Sequence, residues 1–271
     1  MANPLHRMVS SSQVSEWFGQ GTGNIANPSR IGKFPQGTGG TINTYIENGL
    51  TYYSHTFTSS ETFTALVPLT VEYCVVASGG SGAGNTVSGV GSAGCGAGGM
   101  RVGSLSITAG AKVVTIGAQA PLGSSGSQST FDSISCTGGG TDGASGGSGG
   151  GGAASNQYGP GAGIAGQGNN GGSGAGVYTQ TQVAGGGGGG KTSAGTNATG
   201  NTTAGLGGAG LSNNYSTGIP VIYATGGRGG QNAANGTGPA GVNPGDGGGG
   251  GNGAGAGTLG SAGIVIIRYV V

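Results

Sequence analysis

This sequence predicts a mainly β protein: a small sandwich closed by the C-terminal strand, with an inserted bundle of packed polyglycine II helices. Three observations carry that prediction. Apolar and polar residues alternate in successive runs between residues 41 and 136, the extreme C-terminus is the most apolar run of the chain, and 50 of the 73 glycines fall in residues 137–263. Period-two alternation with β-branched and aromatic residues is the mark of half-buried strands.

Composition excludes the common alternatives. Of 271 residues, only eight are Lys or Arg and seven Asp or Glu, far below the quarter or so that is usual, while glycine far exceeds its usual share of about 7%. A disordered chain is normally solvated by charge and lacks strand-like apolar runs. Collagen needs glycine at every third position and abundant proline, whereas here the glycine runs are irregular and prolines number nine. Large apolar side chains are too few for a conventional core throughout, so backbone hydrogen bonds must supply much of the stability. With a net charge of +1 and no basic cluster, the long-range attraction that drives binding to nucleic acid or to anionic membranes is missing. No run of eighteen apolar residues suggests membrane insertion, and the start, Met1-Ala2-Asn3-Pro4-Leu5-His6-Arg7, lacks the apolar stretch of a secretory signal, so cytoplasmic synthesis is expected.

Residues 1–40 read as an N-terminal attachment segment. Ser10 to Phe18 can form a short capped helix, and Trp17, Phe18 and Phe34 are too much apolar surface for so short an element to bury. They either pack on the next domain or dock on a partner protein.

Residues 41–136 read as the β-sandwich domain. Thr41–Ile46 and Leu50–Thr58 flank Asn48-Gly49, a tight-hairpin signal. Ala65–Ala77, Met100–Ile107, Lys112–Ile116 and Ser129–Cys136 continue the strands. The run Gly263-Ile264-Val265-Ile266-Ile267-Arg268-Tyr269-Val270-Val271 needs buried partners, and Val71–Ala77 matches its character, so the chain end is expected to return and complete this domain.

Residues 137–262 show neither helical nor alternating periodicity. Glycine is costly to order, making runs such as Gly185–Gly190 poor helices and weak strands. The extended threefold helix rises about 3.1 Å per residue and makes no internal hydrogen bonds. Its amides and carbonyls point outward, so helices without side chains can satisfy one another when packed side by side. A flexible linker is the other reading, but it would tether the last strand by an implausibly long loop.

Several motifs are decoys. Gly185 to Thr192 matches the phosphate-loop pattern G-x-x-x-x-G-K-[ST], yet the sequence after it cannot form the helix whose N-terminus would hold a phosphate. His6 and His55 are far apart, and Asp132, Asp142 and Asp246 are isolated. No paired carboxylate or nucleophile motif is present, so no enzyme activity, cofactor or metal is expected. Asn197, Asn201, Asn214 and Asn235 begin chance glycosylation patterns. Cys74, Cys95 and Cys136 are odd in number without C-x-x-C spacing, which favours buried free thiols over one disulfide with a thiol left over.

Segments joining glycine helices must lie at the ends of the bundle, where sequence can vary. They carry Tyr158, Tyr178, Gln180, Asn213, Asn214, Tyr215, Arg228 and Asn232. Tyrosine with adaptable amides is the combination used by antibody loops, so these residues are the candidate contacts for a protein or glycan surface.

The framework Val71-Glu72-Tyr73-Cys74-Val75-Val76-Ala77-Ser78-Gly79-Gly80, the middle Val114-Thr115-Ile116-Gly117-Ala118, the Gly-Ser-x-Ser-Thr-Phe element ending at Phe131, and the closing Gly263–Tyr269 together resemble the glycine-rich domain of phage tail-fibre and tail proteins. The glycine-dense part is similar to the fibre-tip adhesins of T-even-like phages. The resemblance implies a receptor-binding protein at a virion tail-fibre tip whose loops recognise a bacterial outer-membrane protein or surface glycan. The resemblance covers roughly residues 55–271 and does not extend to the first 50 or so, which depart from the adhesins' fibre-attachment domain; Trp17, Phe18 and Phe34 are expected, from their unburied apolar surface, to attach the protein to a fibre or tail protein. The alternative is a non-adhesive virion component, such as a tail-tip connector or capsid decoration.

Overall fold

The computed structural model describes residues 34–83, 92–153, 159–176, 183–200, 202–231, 237–252 and 255–271. The chain divides into two compact units, Met1–Phe34 and Pro35–Val271. The helix expected over 10–18, with Trp17 and Phe18, lies outside the described residues. Phe34 is 75% exposed. In the second unit the architecture is mainly β, and no helix occurs among the described residues.

Two five-stranded sheets share one core. In the first, β1 (Gly37–Thr38), β4 (Glu61–Ala65), β7 (Gly110–Thr115), β8 (Ser129–Phe131) and β9 (Ile134–Cys136) lie in that spatial order. In the second the order is β2 (Thr41–Glu47), β3 (Leu50–Phe57), β12 (Ile264–Val270), β5 (Leu69–Val76) and β6 (Met100–Ile107). Asn48 and Gly49 turn β2 into β3 with φ of 51° and 79°, the positive values that a two-residue hairpin demands and that Asn-Gly supplies. The last strand enters between β3 and β5, antiparallel to both, with Ile266 opposite Thr56 on one side and Cys74 on the other. Residues 264–269 are all buried, which explains why this run is apolar without alternation.

The expected strand Ala65–Ala77 is two strands in different sheets. The chain crosses at Leu66–Pro68, because Pro68 has no amide to donate to a ladder, and Leu66 and Val67 are exposed at the crossing. Ser129–Cys136 likewise breaks into β8 and β9 around Asp132, whose φ is 49°. Between the sheets Phe57, Phe63, Val71, Val75, Val114, Phe131, Val265, Ile267 and Tyr269 form the core. On the outer side of the second sheet Cys74, Val76, Met100, Ile264 and Ile266 pack with Tyr223 and Ala224.

Beyond the sheets, glycine-rich segments form an array held by backbone hydrogen bonds. Gly185–Gly190 is its clearest member, buried throughout. Gly185 and Gly188 donate to Gly230 and Gly227, Gly186 and Gly189 to Gly152 and Gly149, and Gly187 and Gly190 to Thr196 and Ser193, all at 2.8–3.0 Å. Their carbonyls accept with the same period of three, from Gly205 and Gly208, from Gly94 and Ala97, and from Gly172 and Asn169. Six neighbours therefore surround one segment, and every polar backbone group in it is satisfied. A Cβ at any of these six glycines would sit 1.9–2.3 Å from a backbone carbonyl oxygen of a neighbour, so no other residue can occupy them without moving main chain.

The segment 92–99 repeats the pattern. Cys95 and Gly98 donate to Gly248 and Gly245, Gly96 and Gly99 to Gly140 and Thr137, and Gly94 and Ala97 to Gly186 and Gly189. Residues 77–83 bond to 92–99 as well, Ala77 to Gly99 and Gly80 to Gly96. The array thus includes stretches within 41–136 that continue β5 and lead into β6.

Candidate functional site

Chain direction alternates through the array, so its segments have a sheet end and an opposite end. At the sheet end they run directly into β5, β6, β10 (Leu211–Asn213), β11 (Val221–Tyr223) and β12. At the opposite end the residues flanking five connections converge. Ser92 Oγ donates to the Ala83 carbonyl and accepts from Gly251, and its carbonyl accepts from Gly230. Ala184 bridges to both Ala175 and Gln231, Gln231 Oε1 accepts from the Ala204 amide at 3.1 Å, and Gly152 bonds to Gly172 and Gly186. The described residues that flank 84–91, 154–158, 177–182, 232–236 and 253–254 therefore lie together at one end of the array.

Tyr158, Tyr178, Gln180 and Asn232 lie outside the described residues, on three of the five connections. Arg228 is half-buried in the segment leading to the 232–236 connection, its Nη2 donating to Gln231 Oε1 at 3.2 Å.

Asn213, Asn214 and Tyr215 lie at the sheet end, in the β10–β11 hairpin folded against the outer face of the second sheet. Tyr45 donates its hydroxyl to the Tyr215 carbonyl at 3.0 Å, Asn214 Nδ2 donates to Glu47, and the Tyr215 amide donates to Asn213 Oδ1 at 3.0 Å.

The Arg268 guanidinium organises this cluster, lying 3.8 Å from the Tyr215 ring centroid and 4.3 Å from that of Tyr52. Its Nε bonds Glu72 at 2.8 Å and its Nη1 bonds Glu47 at 2.6 Å. Burial works against the Arg268 charge, but hydrogen bonds with Tyr45, Glu47 and Glu72 outweigh it and hold the group more firmly protonated. Bonds from Asn214 and Arg268 keep the Glu47 carboxyl below its ordinary value. Charged, ring-stacked and fully bonded, this cluster fastens the hairpin to the sheet. Sequence reasoning had no local signal for it, since Tyr45, Glu47, Tyr52, Glu72, Tyr215 and Arg268 come from separate regions.

The phosphate-loop look-alike has no free donors, because the amides of Gly185–Gly190 all bond to neighbouring main chain. His55 is buried, with Nδ1 2.8 Å from the Gly39 carbonyl and Nε2 3.1 Å from the Tyr269 hydroxyl. Burial favours its neutral form, as in a packed core histidine. Asp246 accepts from the amides of Thr225, Val242 and Asn243, a turn-forming role. Asp142 has a buried Oδ1 without a partner, and burial pushes its carboxyl up to about 7 against the pull of the Ala93 amide. Cys74, Cys95 and Cys136 are free and buried. Among the described residues no three potential ligands gather to hold a metal, and no helix is long and apolar enough to cross a membrane.

Comparison with curated proteins finds no match. The model of the glycine-rich domain matches residues 56–270, a span that starts within β3, ends with β12 and takes in the whole glycine array, so this chain belongs to the glycine-rich domain family.

Proposed function

We propose that this protein is a receptor-binding adhesin at a phage tail-fibre tip, displaying its recognition loops from one end of a bundle of polyglycine II helices. The observation that carries the reading is the convergence of five chain connections at the end of the array opposite the sheets. The period-three bonding of Gly185–Gly190 to six neighbours supports the helix assignment, since a threefold helix presents its amides in three directions. A rigid array that spends its backbone groups internally is suited to hold variable segments in fixed register.

In this reading Tyr158, Tyr178, Gln180 and Asn232 contact a bacterial surface protein or glycan, with Arg228 at the margin. Asn213, Asn214 and Tyr215 instead anchor the array to the sheets. The segment 1–40, with Trp17, Phe18 and Phe34, joins the protein to a fibre or tail protein.

The test is binding of the purified, fluorescently tagged protein to a panel of Gram-negative cells that includes outer-membrane-protein deletions and lipopolysaccharide mutants. Labelling that is strain-selective, lost in one deletion strain, and abolished by Tyr158→Ala with Tyr178→Ala is expected. A folded protein that labels no strain overturns the adhesin reading in favour of a non-adhesive virion component, whose deletion would compromise particle integrity rather than adsorption.

A further inference from the structure

A free sheet edge is a row of unpaired amides and carbonyls, and proteins blunt such edges by keeping them short or by placing charge, proline or a bulge on them. Three of the four edges of the two five-stranded sheets follow that rule. β1 and β9 are only two and three residues long. β6 sets Arg101 opposite Val75, which lies in the core between the sheets, so a charged residue is on the inward side of that edge. The Met100 amide at the start of β6 is already bonded to the Gln167 carbonyl.

β2 has none of these protections. Its sequence, Thr41-Ile42-Asn43-Thr44-Tyr45-Ile46-Glu47, contains no lysine, arginine, proline or glycine, and it pairs with β3 over all seven residues without a bulge. Its one charge, on Glu47, is held by Arg268 and Asn214. Among the described residues the β2 main chain bonds to β3 alone, which leaves the amide and carbonyl of every second residue directed at the open edge. Thr44 is level with Tyr53, and Tyr53 with the core residue Tyr269, so Ile42, Thr44 and Ile46 share the core-facing side of the sheet. Ile42 and Ile46 are nevertheless 42% and 74% exposed.

This edge is complementary to itself. Two copies of β2 laid antiparallel about Thr44 set Ile42 against Ile46 of the second copy twice, Asn43 against Tyr45 twice, and Thr44 against Thr44, with all seven residues paired. A shift of one residue would set core-facing side chains against outward-facing ones, and a shift of two would part the isoleucines. With a net charge of +1, the approach of a second copy meets little repulsion.

We propose that β2 is a homodimer interface, at which the second sheets of two copies join across a two-fold axis at Thr44 into one continuous sheet. The contact is isologous and closes at two copies. One strand ladder with two isoleucines from each copy is a small interface, so a dissociation constant in the micromolar range is expected. The interface does not depend on the adhesin reading.

The experiment is sedimentation velocity of the full-length protein across a hundredfold range of concentration, joined to disulfide trapping. The wild type should pass from monomer to dimer. Ile46→Lys should raise the dissociation constant tenfold or more at unchanged circular dichroism, whereas Val113→Lys, on an equally exposed valine of the other sheet, should leave it unchanged. The native thiols are buried and stay out of the trapping. Across the axis the two Cβ atoms of Thr44→Cys would lie about 5 Å apart, within disulfide reach, so mild oxidation should link this variant to itself. Ile42→Cys and Ile46→Cys should each fail to link alone and should link when mixed. A protein that is monomeric throughout with no trapping at Thr44 overturns the dimer in favour of a strand supplied by another protein. An Ile46→Lys protein that dimerises like the wild type, or an Ile46→Cys protein that links to itself as readily as Thr44→Cys, overturns it as well.

Discussion

The guanidinium of Arg268 lies 3.8 Å from the ring centroid of Tyr215, joining the closing strand of the sheet to a hairpin that emerges from the glycine array. That contact, with Glu47 and Glu72 on the same side chain, couples the two halves of the second unit. Arg268→Ala leaves two carboxylates side by side without their cation and the Tyr215 ring without its partner, and should lower stability by about 2 kcal/mol, below the scale for a fully buried pair because both carboxylates are partly exposed. Arg268→Lys should recover only part of this, because an ammonium lacks the bidentate fork. Urea unfolding followed by near-ultraviolet circular dichroism reads both, and a lysine variant as stable as the wild type would contradict the argument.

The array should be intolerant of a single methyl group at its centre and indifferent to one at its margin. A Cβ at Gly188 would lie 1.9 Å from the Cys95 carbonyl oxygen, whereas one at Gly159 would meet nothing within 4 Å. Gly188→Ala is expected to cost about 3 kcal/mol, at the upper end of ordinary overpacking because main chain must move. Gly159→Ala should leave the urea midpoint unchanged.

The contribution of Asp142 to stability should fall as pH rises from about 4 toward about 7. The Asp142 carboxyl is raised by burial to about 7, above its value of about 4 in the unfolded chain. Its favourable contribution is complete below pH 4 or so, declines as pH rises, and is lost above about 7. Asp142→Asn should therefore flatten the melting temperature between pH 5 and pH 8, with its largest stabilisation at pH 8. A wild-type protein equally stable at both pH values, with the variant tracking it, would refute this.

At the acid end His55 acts in the opposite direction. Burial lowers its pKa, so the stability it contributes as a neutral ring is present at high pH and disappears as pH falls through the ordinary histidine range of about 6.5 and below. Replacing His55 by Gln should shift the acid unfolding midpoint downward, readable by circular dichroism between pH 3 and pH 6.

All three thiols should be inert in the folded state. They are free and buried, and burial raises each pKa, leaving no thiolate to react at neutral pH. A disulfide-exchange reagent should label none of them within an hour in buffer and all three in denaturant.

Much of the fold was legible in local chemistry. Asn48-Gly49 announced its hairpin, and the unbroken apolar run 264–267 announced a strand buried on both faces. Pro68 marked where Ala65–Ala77 had to break, yet a single run of apolar residues read through it. The glycines of 77–83 and 92–99 fell inside the residues read as the β-sandwich domain, because nothing local distinguishes a glycine that turns from one that packs against six neighbours.

The candidate site was less legible. The composition of Tyr215 and its neighbouring asparagines resembled that of the other tyrosine-bearing segments, but the side chains that capture it come from β2, β3, β5 and β12.

By itself, then, the sequence determined that this protein is mainly β, that its last strand is interior, and that its glycine must be stabilised by main-chain bonding, because those follow from periodicity, hydrophobicity and the absence of side chains. Only the tertiary structure decided which segments are neighbours in the array and which distant side chains gather around Arg268. Those are relations between distant residues, fixed when backbone groups and charges find their partners in three dimensions.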